Sequence, residues 1–197
     1  HGATIVELKN GDLVASFFGG TKERNPDCCI WVCRKAKGAK EWTAPKLAAD
    51  GVFALNDPNA EIAGIDTACT PVKDTKGKLT ARRKACWNPV LFQIPGGDLI
   101  LFYKIGLSVA DWTGWLVRSK DGGKTWSKRE ALPQGFLGPI KNKPEYINGR
   151  IICPSSREGK GGWRIHFEYS DDKGKTWKTT ESVPAELSVP TQNRKKG

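Results

Sequence analysis

A hairpin followed by a tryptophan-bearing strand recurs three times in this chain, and this repeat limits what the chain can fold into. The hairpin turns are Asn10-Gly11, Gly96-Gly97 and Asn148-Gly149, dipeptides that accept the positive φ required by a two-residue turn. Gly97 and Gly149 lie 52 residues apart, and Trp126 and Trp177 lie 51 residues apart. A unit of four short strands that repeats about every 50 residues is typical of the blades of a β-propeller.

The same spacing divides the 197 residues into three blades and one insertion. We predict an all-β chain of three four-stranded antiparallel blades, with blade one at about 1–51, an insertion at about 52–84, blade two at about 85–134, blade three at about 135–185 and a basic tail at 186–197. Propellers close with about 4–8 blades. Three blades therefore predict part of a six- or seven-bladed ring, or copies that pair to cover the open faces. His at position 1 fits a processed chain or a piece of a longer one.

The charge of the chain favours an anionic partner. Lys and Arg number 32 against 21 Asp and Glu, a net charge of +11. The excess is spread along the chain without a basic stripe or a reading motif, so nucleic acid is not a predicted partner. A diffuse positive field suits an acidic glycan, although solubility alone accounts for it equally well. The longest apolar run, residues 99–103, is too short for a membrane span.

The six cysteines leave two states open. An even count permits disulfides, among which Cys69–Cys86 would staple the insertion, and this indicates a secreted or extracellular protein. Cys33 and Cys153 lie in apolar, strand-like runs, where a buried thiol is the better interpretation. The spacing does not match a zinc site, so no metal and no cofactor is predicted.

Two turns share one pattern. Residues 119–126 and 170–177 both read Ser-x-Asp-x-Gly-x-Thr-Trp, which resembles the Asp-box of sialidases, whereas residues 35–42 keep only the tryptophan. Residues 1–7, 18–23, 87–92, 138–144 and 153–156 also resemble the sialidase-like proteins with BNR repeats. The resemblance covers the chain apart from the insertion and about the last dozen residues. Members of that family are roughly twice as long, which makes this chain similar to the N-terminal half of their propeller.

The box residues predict structure rather than chemistry. The aspartate can accept turn amides, the glycine permits positive φ, and the tryptophan packs against the blade. The resemblance implies that the boxes lie on the rim, away from a catalytic centre. We therefore interpret Asp121, Trp126, Asp172 and Trp177 as structural residues.

The resemblance places a site at one end of the propeller channel, here called the channel mouth. The first strand of each blade lines the channel, so its entering loop and the end of the second strand face a ligand there. The candidate catalytic residues are His1, Tyr103 and Glu158, and the candidate substrate-binding residues are Lys22, Asn88, Lys104, Asn142, Lys143 and Arg157. Each of these side chains could equally be a solvated loop residue.

The resemblance leaves the reaction open. A sialidase holds the substrate carboxylate with three arginines and uses an acid/base Asp and a Tyr nucleophile activated by Glu. Here the opening Arg-Ile-Pro motif is missing, and only Arg157 fits the arginine set. Related propellers cleave uronic-acid glycans by elimination, with His or Tyr removing a proton. His1 with Tyr103, Lys104 and Lys143 matches that chemistry in residue type.

Two hypotheses follow from these patterns. The first is a carbohydrate-active, sialidase-like enzyme or enzyme fragment that acts on terminal acidic sugars by hydrolysis or elimination. The alternative is a catalytically inactive half-propeller that binds glycan or protein.

A copper site formed by His1 and His166, the two histidines of the chain, suits copper chemistry. It is not predicted, because the strand of His166 is interpreted as leading away to the rim.

Overall fold

The computed structural model describes residues 2–157 and 164–183, and this part of the chain is built from β-strands and one short 3-10 helix at Val109–Asp111. None of its helices is long and apolar enough to cross a membrane. The strands are β1 Thr4–Glu7, β2 Leu13–Gly19, β3 Cys29–Lys35, β4 Lys46–Ala49, β5 Val52–Ala54, β6 Thr70–Lys73, β7 Leu79–Arg83, β8 Ala85–Gln93, β9 Leu99–Gly106, β10 Thr113–Ser119, β11 Glu130–Ala131, β12 Glu145–Ile147, β13 Arg150–Arg157, β14 Arg164–Ser170 and β15 Lys178–Thr179.

Twelve of these strands form three four-stranded antiparallel sheets, which are the three predicted blades. Their strand orders are β1-β2-β3-β4 in blade one, β8-β9-β10-β11 in blade two and β12-β13-β14-β15 in blade three. The predicted hairpin turns are present, and Gly11, Gly96, Asn148 and Gly149 all have positive φ. The all-β, partial-propeller prediction is confirmed.

The remaining strands, β5, β6 and β7, form a separate three-stranded sheet that packs on blade two. Phe53 of β5 is fully buried, and its ring lies 5.7 Å from the ring of Trp115 in an edge contact. The guanidinium of Arg129 lies 4.2 Å above Phe53 and donates to the Val52 carbonyl at 2.6 Å. A buried aromatic side chain and a cation–π contact therefore fix this sheet against the blade.

The six cysteines are free thiols. Cys69 contacts the Gly64 carbonyl inside the insertion, whereas Cys86 is buried in blade two, where its backbone N–H donates to the Cys28 carbonyl at 2.9 Å. The predicted Cys69–Cys86 disulfide is therefore wrong, because the two side chains pack in different environments. The prediction of a secreted or extracellular protein therefore gains no support from this disulfide. Of the two cysteines predicted to be buried, Cys153 is buried, whereas Cys33 is half-buried because it lies on the outward face of blade one.

Blade two forms the centre of the packing. All eight residues of β9 are buried, because blade one covers one face of this strand and blade three covers the other. Leu101 and Trp115 belong to the apolar cluster shared with blade one, whereas Ile100 and Phe102 belong to the cluster shared with Ile151 of blade three. Side chains alternate across a strand, so one strand supplies both interfaces.

The turn at residues 119–126 is held by its aspartate. The Asp121 carboxylate accepts hydrogen bonds from the backbone N–H groups of Lys124 and Thr125 at 3.0 and 2.9 Å. It also accepts from the hydroxyls of Thr125 and Ser119 at 2.6 and 2.8 Å. A carboxylate that collects this many donors closes the loop without help from other parts of the chain.

The turn at residues 170–177 repeats this geometry. Asp172 accepts from the backbone and hydroxyl of Thr176 at 2.8 and 2.6 Å. The threonine hydroxyl is the main cause that holds the pKa of Asp121, and likewise of Asp172, well below the usual range. We refer to the two segments as the repeated turns.

An arginine from one blade reaches the repeated turn of the next blade. Arg34 Nε of blade one donates to the Gly122 carbonyl at 2.8 Å. Arg118 of blade two, at the equivalent position, donates to the carbonyls of Lys173 and Gly174 at 3.0 and 2.8 Å. Tyr169 takes this position in blade three. We call Arg34 and Arg118 the cross-blade arginines.

A lysine is buried at the junction of blades two and three. Lys104 is fully buried on β9, and its ammonium donates to the carbonyls of Pro139 and Ile140 in the loop that leads into blade three. Burial lowers its pKa to about 7, although the nearby Glu168 carboxylate opposes this shift. The interface therefore contains a cation that is easily deprotonated.

Removing a cross-blade arginine should loosen the blade stack. Arg118→Ala deletes two charge-assisted hydrogen bonds to carbonyls of blade three and an ion pair with Glu130. We expect the free energy of unfolding to fall by about 1.5–3 kcal/mol in urea denaturation. Lys120→Ala is the control, because Lys120 is an exposed residue of the same turn and its loss should cost less than about 0.5 kcal/mol. Equal losses in the two variants would contradict this role.

Lys104→Met should change how stability depends on pH. Because the lysine pKa is about 7 in the folded chain and about 10.4 in the unfolded chain, the unfolded chain holds the extra proton between these values. The free energy of unfolding should therefore rise with pH in this window. Urea titrations from about pH 7 to 9 should show a smaller rise in Lys104→Met than in the exposed control Lys120→Met. Identical slopes would show that the pKa of Lys104 is not lowered.

Candidate functional site

Residues of all three blades approach one another at the channel mouth. An Asn88 side-chain oxygen of blade two lies 3.6 Å from the position that a Cβ on Gly2 would occupy. The ammonium of Lys143, in the loop entering blade three, donates to the Ile5 carbonyl of blade one. These contacts bring the first strands of blades one and two close to each other and to the loop that enters blade three.

Five of the predicted site residues lie at or near the surface of this end. Lys22, Asn142, Lys143 and Arg157 are exposed, and Asn88 is half-buried with a φ of 39°. A positive φ at a residue other than glycine is strained unless its surroundings hold it. The structure thus brings Asn88 and Lys143 against blade one, whereas Lys22 makes no hydrogen bond or ion pair with the other four residues.

Tyr103 and Lys104 lie inside the protein. The Tyr103 side chain is completely buried among residues of blades one and two. This burial raises the pKa of Tyr103 well above its usual value. The Tyr103 hydroxyl has no hydrogen-bond partner within the described residues. Tyr103 borders an open cavity of about 660 Å³ that Asp50 and Arg129 also line. The catalytic and binding roles of Tyr103 and Lys104 stay predictions, and both side chains have a packing environment here.

His1 and Glu158 lie outside the described residues, so their catalytic roles also stay predictions. No group of three or more His, Cys, Asp or Glu side chains within residues 2–157 and 164–183 is arranged to hold a metal ion.

A cavity of about 220 Å³ opens between blades two and three beside Arg157, and we call it the His166 cavity. It is bounded by Trp112, Leu137, Ile140, Arg157, His166 and Glu168. The sequence interpretation, which placed His166 on a strand leading away to the rim, missed this residue. His166 is the third residue of β14 and pairs with Ser155, which lies near the C-terminal end of β13. In an antiparallel blade the third strand begins where the second ends, and this connectivity could have located it.

Glu168 anchors the floor of the His166 cavity. Its carboxylate is 1% exposed and accepts hydrogen bonds from the backbone N–H groups of Leu137 and Gly138, the latter at 2.6 Å. The Ser155 hydroxyl donates to it at 3.1 Å, and His166 Nε2 lies 3.2 Å from the same oxygen. The two backbone N–H groups and the Ser155 hydroxyl all donate to this carboxylate. The loop that enters blade three is thereby tied to β13 and β14.

His166 is left with one free ring nitrogen. The residue is 3% exposed, and Nδ1 has no hydrogen-bond partner within the described residues. Nε2 faces the Glu168 carboxylate, and Nδ1 is itself shielded from solvent. Buried polar atoms are normally paired, so this atom requires an explanation.

Arg157 supplies the positive charge at the opening. Its exposed guanidinium has no ion pair or hydrogen bond with the described residues, and Arg164 stands opposite it in the strand pair. A planar guanidinium can bind a carboxylate through two parallel hydrogen bonds. This end of blade three can therefore hold an anion beside the cavity.

Comparison with solved structures shows the fold that these blades belong to. A Hadza microbial sialidase, Hz136, matches with a TM-score of 0.63 and 14% identity over 93% of this chain and 37% of that one. A Trypanosoma rangeli sialidase in complex with sialic acid gives 0.56 and 16%, over 93% and 30%. A Penicillium chrysogenum α-L-arabinanase complexed with arabinobiose gives 0.55 and 19%, over 97% and 50%. This chain thus spans about a third to a half of the length of these proteins.

The sequence itself matches a family. Among curated proteins nothing matches this chain. The model of the BNR repeat-like domain matches residues 11–193, which include every strand from β2 to β15. With the predicted sialidase-like resemblance confirmed in this way, we conclude that the chain belongs to the BNR repeat-like domain family.

Proposed function

We propose that this chain is a carbohydrate-active part of a sialidase-like propeller that recognises terminal acidic sugars at the channel mouth. The observation that carries the proposal is the exposed guanidinium of Arg157, which stands beside a cavity and lacks an acidic partner among the described residues. An extracellular location, where acidic glycans are exposed, belongs to the same proposal.

The charges at the mouth support an acidic ligand. Lys22, Lys143 and Arg157 are exposed at this end. The net charge of +11 adds a field that draws anions towards the protein. Arg157 gives the strongest individual contact, because a bidentate charge-assisted hydrogen bond is both stronger and more directional than an ammonium contact.

Two reactions fit this ligand, hydrolysis of a terminal glycosidic bond and elimination from a uronic acid, with His1, Tyr103 and Glu158 as the catalytic candidates. The burial of Tyr103 favours a second candidate function, a catalytically silent half-propeller that binds glycan or protein. The length of the solved relatives supports the same alternative, since this chain covers only 30% to 50% of them.

Arg157→Ala should weaken recognition of acidic glycans. Loss of a charge-assisted pair of hydrogen bonds corresponds to about 1.5–3 kcal/mol, or roughly a 10- to 100-fold weaker Kd. The measurement is calorimetric binding and product release with sialosides and uronate-capped oligosaccharides. Lys120→Ala serves as the control, because it removes the same charge from a repeated turn at the opposite end of blade two.

The outcomes of that experiment separate the candidates. Product release that His1→Ala or Tyr103→Phe abolishes in a folded protein supports the enzyme, whereas binding without product supports the silent half-propeller. Neither binding nor product from the wild-type chain with any acidic glycan would refute the proposal.

We also propose that two copies of this chain form a ring. In this ring the outer face of blade three in each copy packs on the outer face of blade one in the other. The face of blade three that points away from blade two carries Ile152, Pro154 and Phe167, with Ile165 59% exposed. The equivalent residues of blade two are Ile100, Phe102 and Leu116, which are fully buried against blade three. Because the equivalent face of blade two is covered by the next blade, the outer face of blade three is suited to being covered by a blade as well.

Blade one offers the complementary face. Its outward residues, Leu13, Ala15, Phe17, Trp31 and Cys33, are half-buried. They occupy the positions that Leu99, Leu101, Tyr103, Trp115 and Val117 occupy in blade two, where blade one buries them. Blade three of one copy can therefore pack on blade one of another, and the two contacts close a ring.

Light scattering on the 197-residue chain checks this assembly. We expect a dimer at micromolar concentration, and Ile165→Lys should dissociate it by placing a charge on the exposed apolar face, since an unpaired charge is costly to bury. Lys120→Ala, outside both faces, should remain dimeric. A wild-type chain that scatters as a soluble monomer would contradict the proposal.

A further inference from the structure

We propose that a groove between blades one and two, at the end opposite the channel mouth, binds a phosphoryl dianion through Arg34, Lys46 and Lys124. This groove, here called the rim groove, has a volume of about 260 Å³ and is bounded by these three cations with Val32, Leu47 and Trp126 among its apolar residues. It lies apart from the mouth, so the inference goes beyond the proposed recognition of acidic sugars.

The rim groove has a counterpart between blades two and three, and the two differ in the charge at one position. Lys46 of β4 pairs with Val32, and Glu130 of β11 pairs with Leu116. Val32 and Leu116 each lie two residues before a cross-blade arginine. Lys46 therefore occupies in blade one the position that Glu130 occupies in blade two.

Glu130 shows what an anion does at this position. Arg118 Nε donates to one oxygen of the Glu130 carboxylate at 2.9 Å, and Arg118 Nη2 donates to the other at 3.1 Å. Two such bonds form the directional pair that a guanidinium makes with an oxyanion. Because Lys46 replaces this carboxylate in blade one, the protein supplies no anion there, and an anion from solution can take its place.

Arg34 keeps a donor that a ligand can reach. Its Nε donates to the Gly122 carbonyl at 2.8 Å, and its Nη2 donates to the Asp12 carboxylate at 3.1 Å. Nη1 donates to none of the described residues, and it is not among the buried atoms that lack a partner, so it is open to solvent. A guanidinium has five N–H donors, and those on Nη1 remain for a ligand.

Lys46 and Lys124 bring two further cations to the rim groove. Both residues are exposed, and neither ammonium has a hydrogen bond or an ion pair with the described residues. Lys124 belongs to the repeated turn of blade two, which Arg34 ties to blade one through Gly122. The blade contact therefore brings the three cations together from β3, β4 and the turn.

The surrounding charges favour a dianion. The residues that line the rim groove include three cations and no carboxylate. Asp12 and Asp121 lie close by, but both accept hydrogen bonds from protein donors, and the exposed Lys37 and Lys120 offset their charges. A carboxylate brings one negative charge, whereas a phosphoryl group brings about two at pH 7, because its second pKa is about 6.

The volume of the rim groove sets how much of a ligand can enter. About 260 Å³ corresponds to roughly eight water molecules at about 30 Å³ each. This space holds a phosphate group with a few of its waters, and a larger ligand would enter by its phosphoryl end only. Inorganic phosphate and a phosphate monoester therefore share the chemistry that the groove recognises.

The test measures binding to the 197-residue chain by calorimetry and by ¹H–¹⁵N NMR of the backbone amides at constant ionic strength. The probes are inorganic phosphate, glucose 6-phosphate and acetate. Phosphate should shift the amides of Lys46, Lys124 and Thr125, and acetate should bind at least tenfold more weakly because it carries one charge. Glucose 6-phosphate that binds as tightly as phosphate identifies an ester as the ligand, whereas binding of the inorganic ion alone identifies free phosphate; both results support the site.

Two reciprocal variants use the difference between the two grooves. Lys46→Glu installs the carboxylate that blade two already has, so the Kd for phosphate should rise at least tenfold. Glu130→Lys removes that carboxylate from blade two and should create a second phosphate site beside Arg118 and Lys175. Lys120→Glu is the matched control, because it makes the same change of charge in the repeated turn outside the groove lining, and its Kd should stay within about twofold of wild type.

Three results would overturn the inference. They are phosphate shifts confined to other parts of the chain, an equal loss of binding in Lys46→Glu and Lys120→Glu, and acetate that binds as tightly as phosphate. If Glu130→Lys fails to fold because it loses the ion pair with Arg118, the comparison of Lys46→Glu with Lys120→Glu decides. If Lys46→Glu fails to fold, the amide shifts of the wild-type chain decide.

Discussion

The stack of blades depends on a hydrogen bond that crosses from each blade to the next. Arg34 and Arg118 donate to backbone carbonyls of the following repeated turn. Those carbonyls are available only because Asp121 and Asp172 fold the turns from within. The repeated turns therefore do more than connect strands within one sheet. Apolar packing between blades is not directional, and the hydrogen bonds to these turns fix how neighbouring blades align.

Once the blades are fixed, the channel mouth follows from loops that the blade interfaces hold in place. Lys104 of blade two holds the carbonyls of Pro139 and Ile140, and Glu168 of blade three binds the N–H groups that precede them. Both side chains are buried and bonded to backbone atoms of this loop, which fixes the loop against blades two and three. The cavity of about 220 Å³ beside Arg157 borders the same loop at Leu137 and Ile140.

Much of the fold could be predicted from the sequence, whereas less of the site could. The turn dipeptides, the alternation of apolar residues and the two Ser-x-Asp-x-Gly-x-Thr-Trp segments act over a few residues, and they correctly predicted three four-stranded blades. Arg157 and Lys143 are exposed, and their substrate-binding roles stay predictions. Tyr103 was expected at the mouth because it ends an apolar strand, yet blade one covers it. The sequence pattern alone suggests the rim for His166, because its strand leads to the repeated turn. His166 lies early in β14, however, and therefore beside the end of β13.

The sequence by itself determined the local structure: where the chain turns, which strands pair with their neighbours, and which aspartates close the repeated turns, since these are contacts between residues near in sequence. Only the tertiary structure decided which face of β9 meets blade one and which meets blade three, and hence that Tyr103 and Lys104 are buried. It alone placed His166, Glu168 and Arg157 around one cavity. The physical reason is that burial and hydrogen-bond satisfaction depend on groups from different blades, such as Leu137 and Glu168, 31 residues apart, and no local pattern records that they meet.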